Sequence, residues 1–147
     1  RDFHAENLIW INSRKNFKRV GLLDYQDALI GHPAYDIASL LKDARRDVSI
    51  EVRDKMTNHY LEETKHNKDL FLRDYSILSA QRNLKIIGIF SRLSIRDKKN
   101  NYIKLIPRVW KNLENDFLHP DLENLSKFIN SVAPYPNVNI LKNLYQE

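Results

Sequence analysis

The chain contains no cysteine, only three glycines and no apolar run approaching the length of a membrane span. Without cysteine there is no disulfide framework and no thiolate metal site, which fits a reducing compartment, so we expect a cytoplasmic protein. A transmembrane helix needs about 20 consecutive apolar residues, and we therefore expect no membrane association. With so few glycines, these 147 residues are not expected to hold a glycine-rich phosphate loop.

The composition is otherwise typical of one folded domain spanning residues 1–147, with 42% hydrophobic and 29% charged residues. The net charge is +5, but the basic residues are interrupted by acids. Nucleic-acid binding favours a continuous basic stripe with interleaved aromatics, which is absent, so we expect no nucleic-acid partner. Arg45 and Arg46 are expected to be solvated surface charges. A mild positive bias suits a small anionic substrate equally well.

Two short apolar runs lie near the start of the chain, at residues 8–11 and 20–23, with a polar stretch between them. Their length and the turn-like residues that separate them predict a β-hairpin. The chain becomes helical in pattern after Pro33, which is suited to a first helical turn because it lacks an N–H group. We therefore predict a mainly α fold with a small β-hairpin.

Five helices are predicted after the hairpin, beginning near Pro33, Ser49, Asp69, Ile103 and His119. The middle of the third is apolar on almost all sides, which predicts the central helix of a bundle. The last eleven residues are expected to form a short helix or a frayed tail. Two of these helices carry an apolar stripe at helical spacing: Ile37, Leu40, Leu41 and Ala44 on the first, and Val52, Met56 and Tyr60 on the second.

Three polar residues flank the predicted hairpin. Asp2 and Asn7 precede its first strand, and Asp24 directly follows its second. Phosphoryl transfer uses one carboxylate to orient and deprotonate an alcohol, and an amide with a second carboxylate to hold Mg²⁺. Carboxylate and amide oxygens are the ligands that this hard ion prefers. We therefore predict Asp2 as the catalytic base, and Asn7 and Asp24 as Mg²⁺ ligands.

Five further residues are candidates for the same site. Asp27 either contacts a second Mg²⁺ or caps the following turn. His4 and Glu6 lie within the catalytic loop and either contact the acceptor or support the loop. Arg82 and Asn83 interrupt the apolar central helix, where they either pair with a helix acid or line the acceptor pocket.

Four segments carry a family resemblance: RDFHAENLIWI, RVGLLDYQDALIGHPAYDIASLLKDARRDV, AQRNLKIIGIFSRL and IPRVW. They resemble the C-terminal half of the aminoglycoside phosphotransferase and choline kinase superfamily. Within it, they are most similar to bacterial anomeric kinases of the cell-wall amino sugars N-acetylmuramate and N-acetylglucosamine.

The resemblance implies an enzyme, the helical C-terminal lobe of a protein-kinase-like fold, which uses ATP and Mg²⁺. It also implies that Asp36, in the first turn of a helix, supports the catalytic loop through its backbone. Because the sequence begins inside the catalytic loop, the nucleotide-binding lobe is expected upstream of this chain. The 147 residues alone are then expected to be inactive.

The acceptor implied by the resemblance is an amino sugar, phosphorylated at its anomeric hydroxyl during cell-wall recycling. An aminoglycoside, choline or homoserine remains an alternative, because acceptor specificity depends on the shape of the pocket. Aminoglycosides are polycations that favour a strongly acidic cleft, and this chain is positive overall. A further alternative is a non-catalytic lobe that acts as a binding module, although Asp2, Asn7 and Asp24 are all retained.

Overall fold

The computed structural model describes residues 3–26 and 28–145. A two-stranded antiparallel sheet precedes a helical body, which confirms the predicted fold class. The strands are β1 (Leu8–Trp10) and β2 (Val20–Leu22), and the helices are α1 (Pro33–Leu41), α2 (Ile50–Thr64), α3 (Lys68–Asp97), α4 (Ile106–Asp116), α5 (Glu123–Val132) and α6 (Val138–Lys142). The last of these shows that the C-terminal segment includes a short helix.

The hairpin pairs Leu8 with Leu22 and Trp10 with Val20. At its open end, the backbone N–H of Leu23 donates to the carbonyl of Asn7 over 2.8 Å, which extends the pairing by one step beyond the strands. The two predicted strands are thus confirmed, and their register fixes which residues meet at the end of the sheet.

Helices α1 and α2 begin where Pro33 and Ser49 predict, whereas α4 and α5 begin at Ile106 and Glu123, each three or four residues later than expected. His32 accepts the backbone N–H of Ala34 at the start of α1, with Pro33 in the first turn. The Ser49 hydroxyl accepts the N–H of Val52 over 3.3 Å and caps α2, as expected. Pro107 lies in the first turn of α4, where its missing N–H leaves no hydrogen bond unmade.

The central position of α3 is confirmed, because this 30-residue helix packs against both α1 and α4. Its buried aromatic side chains are Phe71 and Tyr75 near the start and Phe90 further along. Despite its length, neither this helix nor any other in the described part of the chain is apolar enough to cross a membrane. The fully buried partners contributed by α1 and α4 include Ala34, Ala38, Ile106, Val109 and Leu113.

The stripe predicted for α2 is wrong at two of its three positions. Tyr60 is half-buried, but Val52 and Met56 are 46% and 40% exposed, and the buried residues are Thr57 and Leu61. A shift of one residue turns a helix face by about 100°, so the inner face follows polar Thr57 instead of the larger apolar side chains. The helix has few large apolar residues, and its weak periodicity is overridden by tertiary packing.

The first helix is shorter than its stripe suggests. It ends at Leu41, and Ala44 lies beyond it. Ala44 is nevertheless buried beside Phe90, because the chain turns inward after Lys42 and remains in the core. In the same way, Ile103 belongs to a 3-10 turn that precedes α4 and still packs inside.

A buried polar network lies where α1, α3 and α4 meet. The Lys42 ammonium forms an ion pair with Asp116, and both side chains are almost fully buried. The other carboxylate oxygen of Asp116 accepts hydrogen bonds from the Ser79 hydroxyl and the Asn83 amide, each over 2.8 Å. The Lys42 ammonium also lies 4.7 Å from the centre of the Tyr75 ring. The carboxylate is therefore held by a cation and two neutral donors.

The backbone of Lys42 belongs to the same network. Its carbonyl, left free at the end of α1, lies 3.5 Å from the Arg82 guanidinium on α3 and 3.4 Å from the Asn112 amide on α4. The Asn112 side chain in turn accepts from Arg53 on α2 over 2.9 Å. One residue thus connects α1 to both neighbouring helices through its main chain and its side chain.

Burial dominates the electrostatics of the ion pair. It raises the pKa of the Asp116 carboxyl, against the opposing effects of Lys42, Ser79 and Asn83. It also lowers the pKa of the Lys42 ammonium, although Asp116 opposes that shift. The pair is therefore expensive to bury, and removing one partner leaves an uncompensated charge inside the protein.

We predict that Lys42→Met lowers the free energy of unfolding by about 3–5 kcal/mol at neutral pH, because Asp116 remains buried without its cation. Urea unfolding of the chain measures this loss. The folded-state pKa of Asp116 is raised above its unfolded value, so proton uptake favours the folded state as pH falls. The loss in the variant should therefore shrink as the pH falls from neutral towards the ordinary aspartate pKa of about 4.

The matched control is Lys55→Met, since Lys55 is exposed on α2. This substitution should change stability by no more than about 0.5 kcal/mol. A Lys42→Met variant as stable as the control would show that the ion pair contributes little to the fold.

Candidate active site

The hairpin brings two of the predicted metal ligands to the same end of the sheet. Asn7 ends a 3-10 turn that leads into β1, and Asp24 lies two residues beyond β2. The backbone N–H of Leu23, the residue before Asp24, donates to the backbone carbonyl of Asn7. An amide and a carboxylate 17 residues apart in the sequence are therefore adjacent across the hairpin.

Asp24 has an unusual backbone for a residue other than glycine. Its φ of 54° lies in the left-handed region, which Asp and Asn tolerate better than most residues. Its carboxylate is exposed and accepts a hydrogen bond from the neutral amide of Gln26. An exposed carboxylate beside a neutral donor is free to bind a cation.

The donors at this end of the hairpin fit Mg²⁺ in chemistry, since both offer oxygen ligands. Across residues 3–26 and 28–145, no three His, Asp or Glu side chains gather into a set that would hold a metal ion. Mg²⁺ commonly keeps its waters and relies on substrate phosphates with one or two protein ligands. Asn7 and Asp24 suit that mode of binding better than a closed protein site.

The predicted base, Asp2, and the further acid, Asp27, lie outside the described residues. Their roles remain predictions. The segment that follows Asp2 is described from Phe3 onward and forms the turn that carries Asn7.

His4 and Glu6 both make contacts that support the loop. His4 is buried, and its backbone carbonyl accepts the N–H of Asn7 over 3.0 Å. Its ring Nδ1 has no hydrogen-bond partner among the described residues. Glu6 forms an ion pair with Arg45, whose Nε lies 3.1 Å from the carboxylate. A direct contact of either residue with the acceptor remains a prediction.

Arg45 therefore makes contacts that the sequence does not indicate. Besides binding Glu6, its backbone N–H donates to the carboxylate of buried Asp43 over 3.0 Å. The segment after α1 is thus attached to the loop that carries Asn7. An exposed arginine in a charged stretch gives no sign of this in the sequence, because its partner is 39 residues away.

A cavity of about 760 Å³ opens between the start of α1 and α3. One wall is the segment before α1 with the first turn of that helix, and the other wall is the middle of α3. The segment begins at Leu29, five residues after Asp24, so it lies within about 18 Å of that carboxylate. The lining residues are Leu29, Ile30, Gly31, His32, Tyr35, Asp36, Leu78, Gln81, Arg82 and Lys85.

Two of the predicted residues line the cavity. Asp36 lies in the first turn of α1, as expected, and lines the cavity, while its support of the catalytic loop remains a prediction. Arg82 is buried and also lines it. Asn83 is not brought to the cavity wall, because its amide binds Ser79 and Asp116 in the buried network.

A second cavity, of about 330 Å³, lies among α2, α3 and α4. None of the predicted site residues that the structure describes lines it; its walls include Lys42, Arg53 and Tyr75. The larger cavity is therefore the candidate acceptor site. Its volume falls in the range of about 300–1,000 Å³ that is usual for small-molecule pockets.

Residues 1–93 match the phosphotransferase enzyme family, APH. The chain belongs to this family. The match includes the hairpin, Asn7, Asp24, α1 and most of α3, which are the elements that build the site and both walls of the cavity. The resemblance drawn from the sequence is thereby confirmed at the level of the family.

Three relatives carry the name N-acetylmuramate/N-acetylglucosamine kinase. The one from Caulobacter vibrioides is 43% identical over 135 residues, which cover 91% of this chain and 37% of the relative. That from Neisseria meningitidis is 37% identical over 115 residues, which cover 74% of this chain and 33% of the relative. That from Pseudomonas aeruginosa is 34% identical over 140 residues, which cover 90% of this chain and 40% of the relative. The chain thus spans only a third to two fifths of each relative it matches.

We predict that the 147-residue chain shows weak or no Mg²⁺ binding by calorimetry when no nucleotide is present. Two protein oxygens are too few to replace the ion's waters without phosphate ligands. Tight binding to the chain alone would indicate a preformed metal site and would contradict this description.

In the full-length natural polypeptide that carries this sequence, Asp24→Asn should lower turnover by about a hundredfold or more. Asn keeps the left-handed backbone while removing the charge, so the loss reports the carboxylate and not the fold. The control is Asp121→Asn, an exposed acid before α5, which should leave turnover and Mg²⁺ dependence unchanged.

Proposed function

We propose that this chain is the catalytic, acceptor-binding lobe of an ATP-dependent phosphotransferase that acts on an alcohol group of a small molecule. The observation that carries the proposal is the pairing of the segments that hold Asn7 and Asp24 at the open end of the hairpin. Membership of the phosphotransferase family supports the same reaction class.

In the proposed reaction, Asp2 accepts the proton of the acceptor hydroxyl as its oxygen bonds to the γ-phosphorus of ATP. The bond between that phosphorus and the oxygen of the departing ADP breaks in the same step. Mg²⁺, held by Asn7 and Asp24, would neutralise the charge on the phosphate oxygens. His4 and the Glu6–Arg45 ion pair support the loop that carries these groups.

The proposed acceptor is an amino sugar, N-acetylmuramate or N-acetylglucosamine, phosphorylated at the anomeric hydroxyl in cell-wall recycling. The names of the relatives support this class. The lining of the cavity also supports it, because two cations and one acid give that wall no excess of negative charge. A polycationic aminoglycoside would be bound poorly there.

We also propose that residues 1–147 form one C-terminal lobe and work with an upstream nucleotide-binding lobe in the cytoplasm. The chain has three glycines and no glycine-rich phosphate loop. It also spans little more than a third of the length of its relatives. We therefore expect the isolated 147 residues to be catalytically inactive.

The acceptor class is tested with the full-length natural polypeptide, radiolabelled ATP and a panel of acceptors. We expect N-acetylmuramate and N-acetylglucosamine to be labelled, with the phosphate at the anomeric position, and kanamycin-type aminoglycosides, choline and homoserine to remain unlabelled. Labelling of kanamycin alone would overturn the amino-sugar assignment and retain the phosphotransferase class. Failure to label any acceptor would contradict the proposed phosphotransferase activity and favour a non-catalytic binding module.

A separate experiment tests the base. In the full-length polypeptide, Asp2→Asn should lower kcat by about 10²–10⁴, because a general base acts mainly in the transition state. Nucleotide affinity, measured by titration with a non-hydrolysable ATP analogue, should change little. Near-normal turnover in this variant would show that Asp2 is not the base.

A further inference from the structure

Lys85 is a cation without a partner on the wall of the larger cavity. It lies on α3, is exposed, and lines the cavity three residues after Arg82. Among the residues that the structure describes, it forms no hydrogen bond and no ion pair. Its ammonium is therefore available to a ligand that enters from solvent.

Two other polar groups on the same walls, Arg82 and His32, already make contacts within the fold. Arg82 is buried and donates to the Lys42 carbonyl. His32 accepts the N–H of Ala34 through Nδ1, and its Nε2 lies 3.3 Å from the Asp74 carboxylate. Lys85 differs from both, because binding a ligand would cost it no existing contact.

The charge of the cavity favours an acceptor with an anionic group. Among the described lining residues, Arg82 and Lys85 are cations and Asp36 is the acid, so these three side chains carry a formal net charge of +1. The remaining lining residues are neutral and include Tyr35, which offers an aromatic face. A cavity that offers both a compact ammonium and an aromatic face suits a sugar that carries one carboxylate.

The two sugars in the names of the relatives differ in charge. N-acetylmuramate is N-acetylglucosamine with a lactyl ether, whose carboxylate is negative at neutral pH. We propose that Lys85 binds that carboxylate and thereby determines the preference for N-acetylmuramate over N-acetylglucosamine. This inference rests on the proposed function, since it assigns a specificity residue to the same acceptor site.

The test measures kcat/KM for both sugars with the full-length natural polypeptide and Lys85→Met, which keeps a long side chain and removes the charge. The ratio for N-acetylmuramate over N-acetylglucosamine should fall about tenfold or more, mainly through KM, because a hydrogen bond between two ions is lost. Lys85→Arg should retain most of the ratio, and Lys85→Glu should lower it further.

Two controls separate recognition from structure. Lys111→Met removes an exposed lysine on α4 that lines neither cavity, and it should leave the ratio unchanged. Raising the salt concentration should lower the ratio of the unmodified enzyme, because an exposed ion pair is screened. A purely structural role for Lys85 would instead lower both values of kcat/KM together.

The outcomes also distinguish this inference from the proposed function. If the enzyme phosphorylates both sugars and Lys85→Met, with unchanged thermal unfolding, keeps the ratio, the assignment of Lys85 is wrong and the kinase remains. If the unmodified enzyme phosphorylates neither sugar, the proposed function fails and this inference fails with it.

Discussion

The buried contact between Lys42 and Asp116 is the interaction on which the arrangement of the helices depends. Lys42 ends α1, and its ammonium crosses to α4 while its carbonyl accepts from both α3 and α4. Because the opposite end of α1 forms one wall of the larger cavity and α3 forms the other, this contact helps to set the width of the cavity. A polar network at such a junction specifies one packing of three helices, where apolar contacts alone would permit sliding.

The hairpin is connected to this helical body by a second set of charges. Glu6, in the turn before β1, forms an ion pair with Arg45, and the backbone N–H of Arg45 donates to Asp43 directly after α1. The loop that carries Asn7 is thereby positioned relative to the same segment that includes Lys42. The end of the hairpin that carries Asn7 and Asp24 and the cavity walls are thus parts of one connected framework.

Much of this architecture could be predicted from the sequence because local signals govern it. Apolar runs and turn residues identify the hairpin, and Pro33 and Ser49 mark helix starts through backbone chemistry. The inner face of α2 was not predictable in the same way, because Thr57 and Leu61 are selected by tertiary packing against other helices. Local periodicity contains no information about that choice.

The contacts of the candidate site also differ in whether local sequence signals predict them. Asn7 and Asp24 could be predicted, since their spacing and the hairpin bring them together. The partners of Arg45 and Lys42 could not, because each pair spans long stretches of sequence. One signal was present for Asp116: it lies three residues after Leu113 on the apolar stripe of α4, where an acid needs a buried partner.

The left-handed backbone of Asp24 restricts how this position can change over evolutionary time. In its proposed role as a Mg²⁺ ligand, Asp24 can be replaced only by a residue that offers an oxygen ligand and adopts a positive φ. Glu meets the first requirement and is strained by the second, whereas Gly meets the second and offers no ligand. Asn meets the backbone requirement without the charge. Descendants that lose catalysis can therefore acquire Gly or Asn here and keep the whole fold, so that an intact hairpin alone does not identify an active member of the family.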